Sequence, residues 1–239
     1  EALSADFGIE TPKRTPLYES YILGALDKKM ISEKSAFLGK NITRVEMLKN
    51  AIAVKDKVLA KARLHRPDTK VVLCYLGTSD EVRTWDIDGE FPGEKFLIDA
   101  LFEAGKRVVV PVPYKDGGMG LFEITPEDIK KRDFKRGELG VLVPGKPRPV
   151  SERDVDVAII PGLAFDTKNH RIGRGGGFFD RFLRSYKERG LEPPYAIGVS
   201  YDFQFSITDI VVSEADALVD EVITPSGHSA SLAELRNKF

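Results

Sequence analysis

Three short runs of apolar, β-forming residues constrain this chain most: Lys70 to Leu76, Arg107 to Val112, and Val155 to Ile160. None alternates apolar with polar residues, so each reads as a strand buried on both faces. Helix-length connections lie between them. Glu94 to Ala104 carries a helical pattern stopped by Gly105, and Phe178 to Arg189 carries another. From about Leu17 to Arg63, apolar residues such as Val45, Leu48, Ala51, Ile52, Val58 and Leu59 recur at helical spacing and predict two helices. Met119 to Ile124, after the Asp116-Gly117-Gly118 turn, predicts an edge strand, and further strands are expected at Tyr195 to Val199 and Glu221 to Thr224. Ser231 to Glu234 has capping-box spacing and predicts a short terminal helix. With no repeat and no low-complexity linker, the pattern gives the α/β class: a single domain with a mostly parallel sheet and helices on both faces.

In such sheets, ligands gather beyond the carboxyl ends of the strands. The loops after Leu76, Ile160 and Thr224 share that side. The strongest local signal there is Arg171-Ile172-Gly173-Arg174-Gly175-Gly176-Gly177-Phe178-Phe179-Asp180, with four glycines in five positions at the mouth of a helix. Oriented backbone amides and a helix N-terminus attract phosphate, and Arg171 and Arg174 add charge suited to phosphate oxygens. A dinucleotide fingerprint starting at Gly173 fails, because Phe178 stands where glycine is required. Gly140 to Pro147 misses the P-loop pattern because a proline replaces its hydroxyl residue, leaving Pro144 to Pro149 as a surface connection from which Lys146 and Arg148 could face a cleft.

A phosphate site is commonly accompanied by a hard cation held by carboxylates. Asp166, Asp180 and Asp220 each lie near a strand end or helix start, where caps and turns also use aspartate. Glu81, directly after a buried strand, has the chemistry to accept hydrogen bonds from a heterocycle's amino groups, although a lone loop acid is ordinarily solvated. Trp85 and Phe178-Phe179 are candidates for stacking on a flat ring, with core packing as the plainer reading. His170 reads as a surface-loop residue, and Asn41-Ile42-Thr43 has glycosylation-acceptor spacing without other signs of secretion. The balance of 36 basic and 37 acidic residues, net −1, argues against nucleic acid or an anionic membrane as partner. A single cysteine, Cys74, excludes an intrachain disulfide and a cysteine-type zinc site. No apolar run nears the ~20 residues that span a bilayer. These features predict a soluble protein of a reducing compartment, cytoplasmic, or organellar if a targeting peptide has been removed.

Pro161 to Asp166 followed by Arg171 to Arg181 resembles the signature of the 5-formyltetrahydrofolate cyclo-ligase (5,10-methenyltetrahydrofolate synthetase) family. Asp80 to Thr84, Ile197 to Gln204 and Val219 to Thr224 extend the likeness in the right order, from about Val45 to Thr224. The resemblance implies an α/β domain over residues 31–239, preceded by an extension over 1–30, with Asp86 to Gly93 as an apparent insertion. It implies binding of ATP with Mg2+ and of a reduced folate, with or without a polyglutamate tail, by a monomer or homodimer. The implied reaction phosphorylates the formyl oxygen, then closes the ring by attack of N10 as phosphate leaves. Carried over by position, Arg171, Ile172, Gly173, Arg174, Gly175, Gly176, Gly177, Phe178 and Phe179 would form the ATP loop, together with Lys28 or Lys29 from the front of the chain. Leu76, Glu81 and Arg174 to Phe178 would border the folate, Arg174 and Asp180 would act in catalysis, and Asp180 and Asp220 would hold the metal.

Three departures stand against that pattern. Phe178-Phe179 replaces the family's usual tyrosine pair, Ser32 and Glu33 stand where an arginine follows the lysine, and Leu142-Val143 precedes Pro144 where a polar residue is common. They leave open a second reading, a divergent member that binds a nucleotide or folate-like ligand without cyclising it, or that acts on another small substrate.

Overall fold

The computed structural model describes residues 42–77, 81–206, 209–210, 212–213 and 216–227. Lys28, Lys29, the first of the two expected front helices, and the expected terminal helix lie outside the described residues. Helix α1 (Arg44–Leu59) opens on a capping box: the Glu46 amide donates to Thr43 Oγ1 at 3.2 Å, and the Thr43 amide donates to Glu46 at 3.0 Å. Thr43, noted above only for glycosylation spacing, is therefore a helix cap.

The central sheet runs β11 (Glu221–Ile223), β9 (Tyr195–Val199), β6 (Val157–Pro161), β1 (Val71–Leu73), β2 (Arg107–Pro113), β3 (Met119–Ile124). All neighbours are parallel except β2 and β3, so Met119 to Ile124 is the expected edge strand, joined antiparallel. Alternation along the strands divides the core. Val72, Cys74, Val108, Val110, Val157, Ile159, Ile197 and Val199 pack with α1 and with α2 (Leu97–Glu103). Val71, Leu73, Val109, Ala158, Ile160, Ala196 and Val222 face the other way, against Phe182, Leu183 and Tyr186 of α4 (Phe178–Glu188). Both faces are dry, which is why these strands read as unbroken apolar runs. Each fully buried aliphatic side chain stabilises by roughly 1.5–3 kcal/mol.

Cys74 belongs to this core at 0% exposure, and burial pushes its thiol up to about 12, so it has no thiolate chemistry near neutrality. The helix expected from Glu94 begins only at Leu97, where Asp99 accepts the Phe96 amide at 3.0 Å. Gly105 at φ +71° ends it as expected.

Two features were not foreseen. The charged stretch after Ile124 forms α3 (Pro126–Lys131) and then a hairpin of β4 (Phe134–Arg136) and β5 (Leu142–Pro144). The near-miss P-loop is thus the end of the hairpin turn followed by strand β5. The Pro144–Pro149 stretch runs along the surface as expected, with residues 145–147 and 149 exposed, and is pinned there: Glu123 N donates to Arg148 O at 2.8 Å, Val150 N to Leu121 O at 2.9 Å, and the Arg148 guanidinium closes on buried Asp128 at 2.7 Å. Secondly, β7 (Ala164–Asp166), β8 (Arg171–Ile172) and β10 (Phe205–Ser206) form a small sheet beyond the carboxyl end of β6. The Phe165 ring locks it to the core, because Cβ atoms placed on Gly162 and Gly198 would approach that ring to 2.6 and 2.5 Å.

Candidate active site

The chain leaves β6 at Pro161, folds back through β7 and β8, and reaches α4 through the glycine loop. Asp166 makes the reversal possible. Fully buried, it accepts the amides of Lys168 (2.9 Å), His170 (3.0 Å) and Ile210 (2.7 Å), and its Oδ2 meets His170 Nδ1 at 2.8 Å. Every side of this carboxylate is engaged in shaping the turn, so the structure removes it as a cation ligand. His170 is correspondingly half-buried against it and not a free loop residue.

Arg171 lies under the glycine loop. Its side chain is 3% exposed, and Nη2 donates to Asp180 Oδ1 at 2.7 Å while Nη1 reaches Pro161 O at 3.4 Å. This guanidinium is buried beneath the loop, with Nε left without a partner. It fixes the first turn of α4 through Asp180, whose negative charge also suits the positive end of the helix. Both hydrogen bonds to Asp180, from Arg171 and from the Ala217 amide at 3.3 Å, fall on Oδ1.

Gly173 to Gly177 lie above this pair, with residues 174–176 exposed. Gly175 (φ +90°) and Gly177 (φ +61°), the latter capping α4, occupy conformations that L side chains resist. Around Gly175 there is open space where a side chain would stand. Arg174 is the guanidinium that projects from the loop, about half exposed, and its Nε lies 3.4 Å from Glu81 Oε1. Glu81 is held in turn by its backbone carbonyl, which accepts from the Tyr201 hydroxyl at 3.2 Å. The loop after β1 and the loop before α4 therefore meet at this ion pair, as their shared side of the sheet predicted. The turn after Thr224 meets Asp202 and Lys57 instead.

Arg181 carries a role that the sequence reading missed. Its Nε and Nη2 donate to Gly117 O at 3.1 and 2.9 Å, Nη2 also donates to Gly176 O at 2.8 Å, and its Cζ lies 5.0 Å from the Phe178 ring centre. It ties the glycine loop to the β2–β3 turn, and its position one helical turn after Gly177 is the signal that could have found it. Phe178 and Phe179 are half-buried; both rings lie beside arginines, the second 5.7 Å from the Arg171 guanidinium, and Phe179 also packs against the core as the plainer reading expected. Replacing Arg181 with alanine is expected to weaken nucleotide binding about tenfold, from bonds worth roughly 0.5–1.5 kcal/mol each. The melting temperature should move little, and equilibrium titration beside a thermal melt reads both.

The remaining expected residues divide. Leu76 is half-buried at the start of the Glu81 loop, where with Gly77 it lines a cavity. Trp85 is 3% exposed, with its ring 5.0 Å from Phe134, so it is a packed residue and not a free stacking platform. Asp220 precedes β11, and its Oδ2 accepts the Ala196 amide at 2.7 Å at the amino end of β9. That is the opposite end of the strands from Glu81 and the glycine loop. Asp180 Oδ1 meets the same segment three residues earlier, at the Ala217 amide, and among the described residues no three His, Cys, Asp or Glu side chains form a metal-ligand group.

Comparison with known proteins places the fold and the loop in context. A profile of the 5-formyltetrahydrofolate cyclo-ligase family matches residues 28–225. The mitochondrial 5-formyltetrahydrofolate cyclo-ligase of Arabidopsis thaliana is 42% identical over 140 residues, 51% of this chain and 48% of that protein, so the chain spans about half of that relative. The Escherichia coli K12 cyclo-ligase is 33% identical over 147 residues, 58% of this chain and 74% of that protein. Among solved structures, the 5,10-methenyltetrahydrofolate synthetase of Aquifex aeolicus superposes with a TM-score of 0.64 at 22% identity, covering 85% of this chain and 92% of that one. The Mycoplasma pneumoniae synthetase gives 0.61 at 20% identity, covering 83% and 99%.

Proposed function

The chain belongs to the 5-formyltetrahydrofolate cyclo-ligase family, and from that premise we propose that it closes N5-formyltetrahydrofolate to 5,10-methenyltetrahydrofolate while ATP becomes ADP and phosphate. The observation that carries the reading is the Arg174–Glu81 contact, which joins an open glycine loop at a helix N-terminus to a carboxylate suited to a heterocycle's amino groups. A formamide oxygen is a weak nucleophile and a formamide carbon a weak electrophile, so the protein's task is alignment and charge neutralisation. The backbone amides of exposed residues 174–176 and the α4 terminus bind phosphate oxygens, and Arg174 supplies positive charge. Glu81 orients the ring so that the formyl oxygen faces the loop. No covalent nucleophile is required, in keeping with the buried Cys74.

Magnesium enters this reading with ATP. The carboxylates proposed to hold it are Asp180 and Asp220, the second of which also accepts the Ala196 amide through Oδ2. Asp180 keeps Oδ2 outside its two hydrogen bonds, which suits a cation held chiefly by phosphate oxygens and water. Its chemistry when bound is to offset phosphate charge.

The test is to mix the protein with 5-formyltetrahydrofolate, ATP and magnesium and follow the near-ultraviolet absorbance of the methenyl product. A rise that needs both substrates is expected. A flat trace from folded protein that binds ATP would replace this reading with the non-cyclising one.

A further inference from the structure

Two tyrosines reach the Glu81 segment from different strands. β1 ends at Leu73 and β9 at Val199, on either side of β6, and each strand is followed two residues later by a buried tyrosine, Tyr75 and Tyr201. The chain keeps its sheet bonding up to those rings: the Cys74 amide donates to Val109 O at 2.8 Å and the Ser200 amide to Ile223 O at 3.1 Å. Both rings belong to the core cluster that also contains Val82. Packing alone would be served as well by phenylalanine, so the hydroxyls are the informative atoms.

The Tyr75 hydroxyl donates to Val82 O at 2.8 Å, and the Tyr201 hydroxyl donates to Glu81 O at 3.2 Å. Two consecutive carbonyls are thus fixed from two separate strands. Each tyrosine is fixed in turn. Thr84 Oγ1 donates to Tyr75 O at 2.6 Å, which closes the segment back on the end of β1. The Tyr201 amide donates to Gln204 Oε1 at 3.0 Å, and its ring stacks on Phe203 with centres 5.3 Å apart and planes 14° from parallel. Burial holds the Tyr75 hydroxyl well above the usual phenol range, so it stays a donor throughout the neutral range. The half-buried Glu81 carboxylate therefore stands on backbone pinned at its own carbonyl and at the next, and its direction is set before a ligand arrives. Preset direction spares the ordering cost that binding would otherwise carry.

We propose that Tyr75 and Tyr201 are positioning residues for Glu81, their hydroxyls holding the Val82 and Glu81 carbonyls so that the carboxylate already faces the heterocycle's amino groups. The proposal rests on the cyclo-ligase reading, which gives Glu81 the folate ring, and adds the two groups that set the acid's aim. Without either hydroxyl the segment samples other arrangements, and folate affinity falls with the fraction of molecules that still present the acid. The net contribution of one hydrogen bond sets that fall at about fivefold per hydroxyl.

The test uses Tyr201→Phe and Tyr75→Phe in the full chain, alone and combined with Glu81→Gln. Calorimetric titration with 5-formyltetrahydrofolate, without ATP so that no turnover intervenes, gives the folate affinity; ATP affinity is measured separately, and the absorbance assay gives KM and kcat. Each single variant should bind the folate about fivefold more weakly and raise its KM to match, with kcat and ATP affinity within about twofold, the pattern of a lost binding interaction. In the Glu81→Gln background the same substitutions should add less than about twofold, since groups that act through the carboxylate have nothing left to aim. Unchanged folate affinity in both single variants overturns the proposal. So does an undiminished loss in the Glu81→Gln background, which would mark a general packing defect. If Tyr75→Phe fails to fold, Tyr201→Phe decides, because its bond is to Glu81 itself. Protein that makes the methenyl product while both variants keep full folate affinity loses only this assignment. Protein that binds the folate without forming product, and whose variants bind it more weakly, loses only the cyclising activity.

Discussion

Arg171→Met is expected to destabilise the protein by about 3 kcal/mol and to abolish ATP-dependent turnover. Removing one partner of a buried ion pair costs roughly 3–5 kcal/mol because the other charge is left uncompensated. The lower end applies here, since the Asp180 side chain keeps 14% exposure. For a domain of this size the melting temperature should fall by about 10 °C. The companion experiment is Arg171→Met combined with Asp180→Leu, which removes both charges. Denaturant midpoints should show the double variant recovering much of the loss, since a buried pair is often replaceable by apolar groups. A double variant no better than the single one would show that the loss comes from packing and not from the pair. Activity should stay absent in both, because the first turn of α4 carries the loop.

Arg174→Ala should leave stability within about 0.5 kcal/mol, as expected for an exposed side chain, and weaken ATP binding by about ten- to a hundredfold. The range follows from a charge-assisted hydrogen bond to phosphate, worth roughly 1.5–3 kcal/mol. Calorimetric titration of ATP gives the constant directly. Unchanged affinity would remove this residue from the nucleotide site. Because the same guanidinium lies 3.4 Å from Glu81, the comparison with Glu81→Gln is informative. That variant should raise the KM for the folate while ATP affinity stays within a few-fold.

Much of the sheet was legible because its strands are apolar on both faces. Val108 to Val110 and Val157 to Ile160 carry no polar residue to blur the pattern, and Tyr195 to Val199 has the expected bounds. The β4–β5 hairpin escaped because its strands are three residues each, one reading Phe-Lys-Arg, so neither period nor composition marks them. The small sheet escaped for the same reason, with strands of two or three residues. At the site, the glycine loop and Glu81 were legible as chemistry, and their meeting followed from sheet topology. The division of labour between Arg171 and Arg174 was not. An arginine beside glycines has the same local signature whether it points into the protein or out of it, and only tertiary packing, here Asp180 and Pro161 beneath the loop, decides. Asp220 shows the same limit, since a carboxylate at a strand start serves a cation or a neighbouring amide equally well.

The Phe165 ring, seated between two glycines, sets a boundary on how this scaffold can be altered. With a single methyl group at Gly162 or Gly198 already within 2.6 or 2.5 Å of the ring, the sheet beneath the glycine loop has no adjustable part. Changes of ligand preference, whether by natural drift or by an engineer, must be written into the segments that hang from it. Residues 86–93 and the hairpin turn at 137–140 are the parts of this molecule free to take on a new vocabulary while the glycine loop keeps its old one.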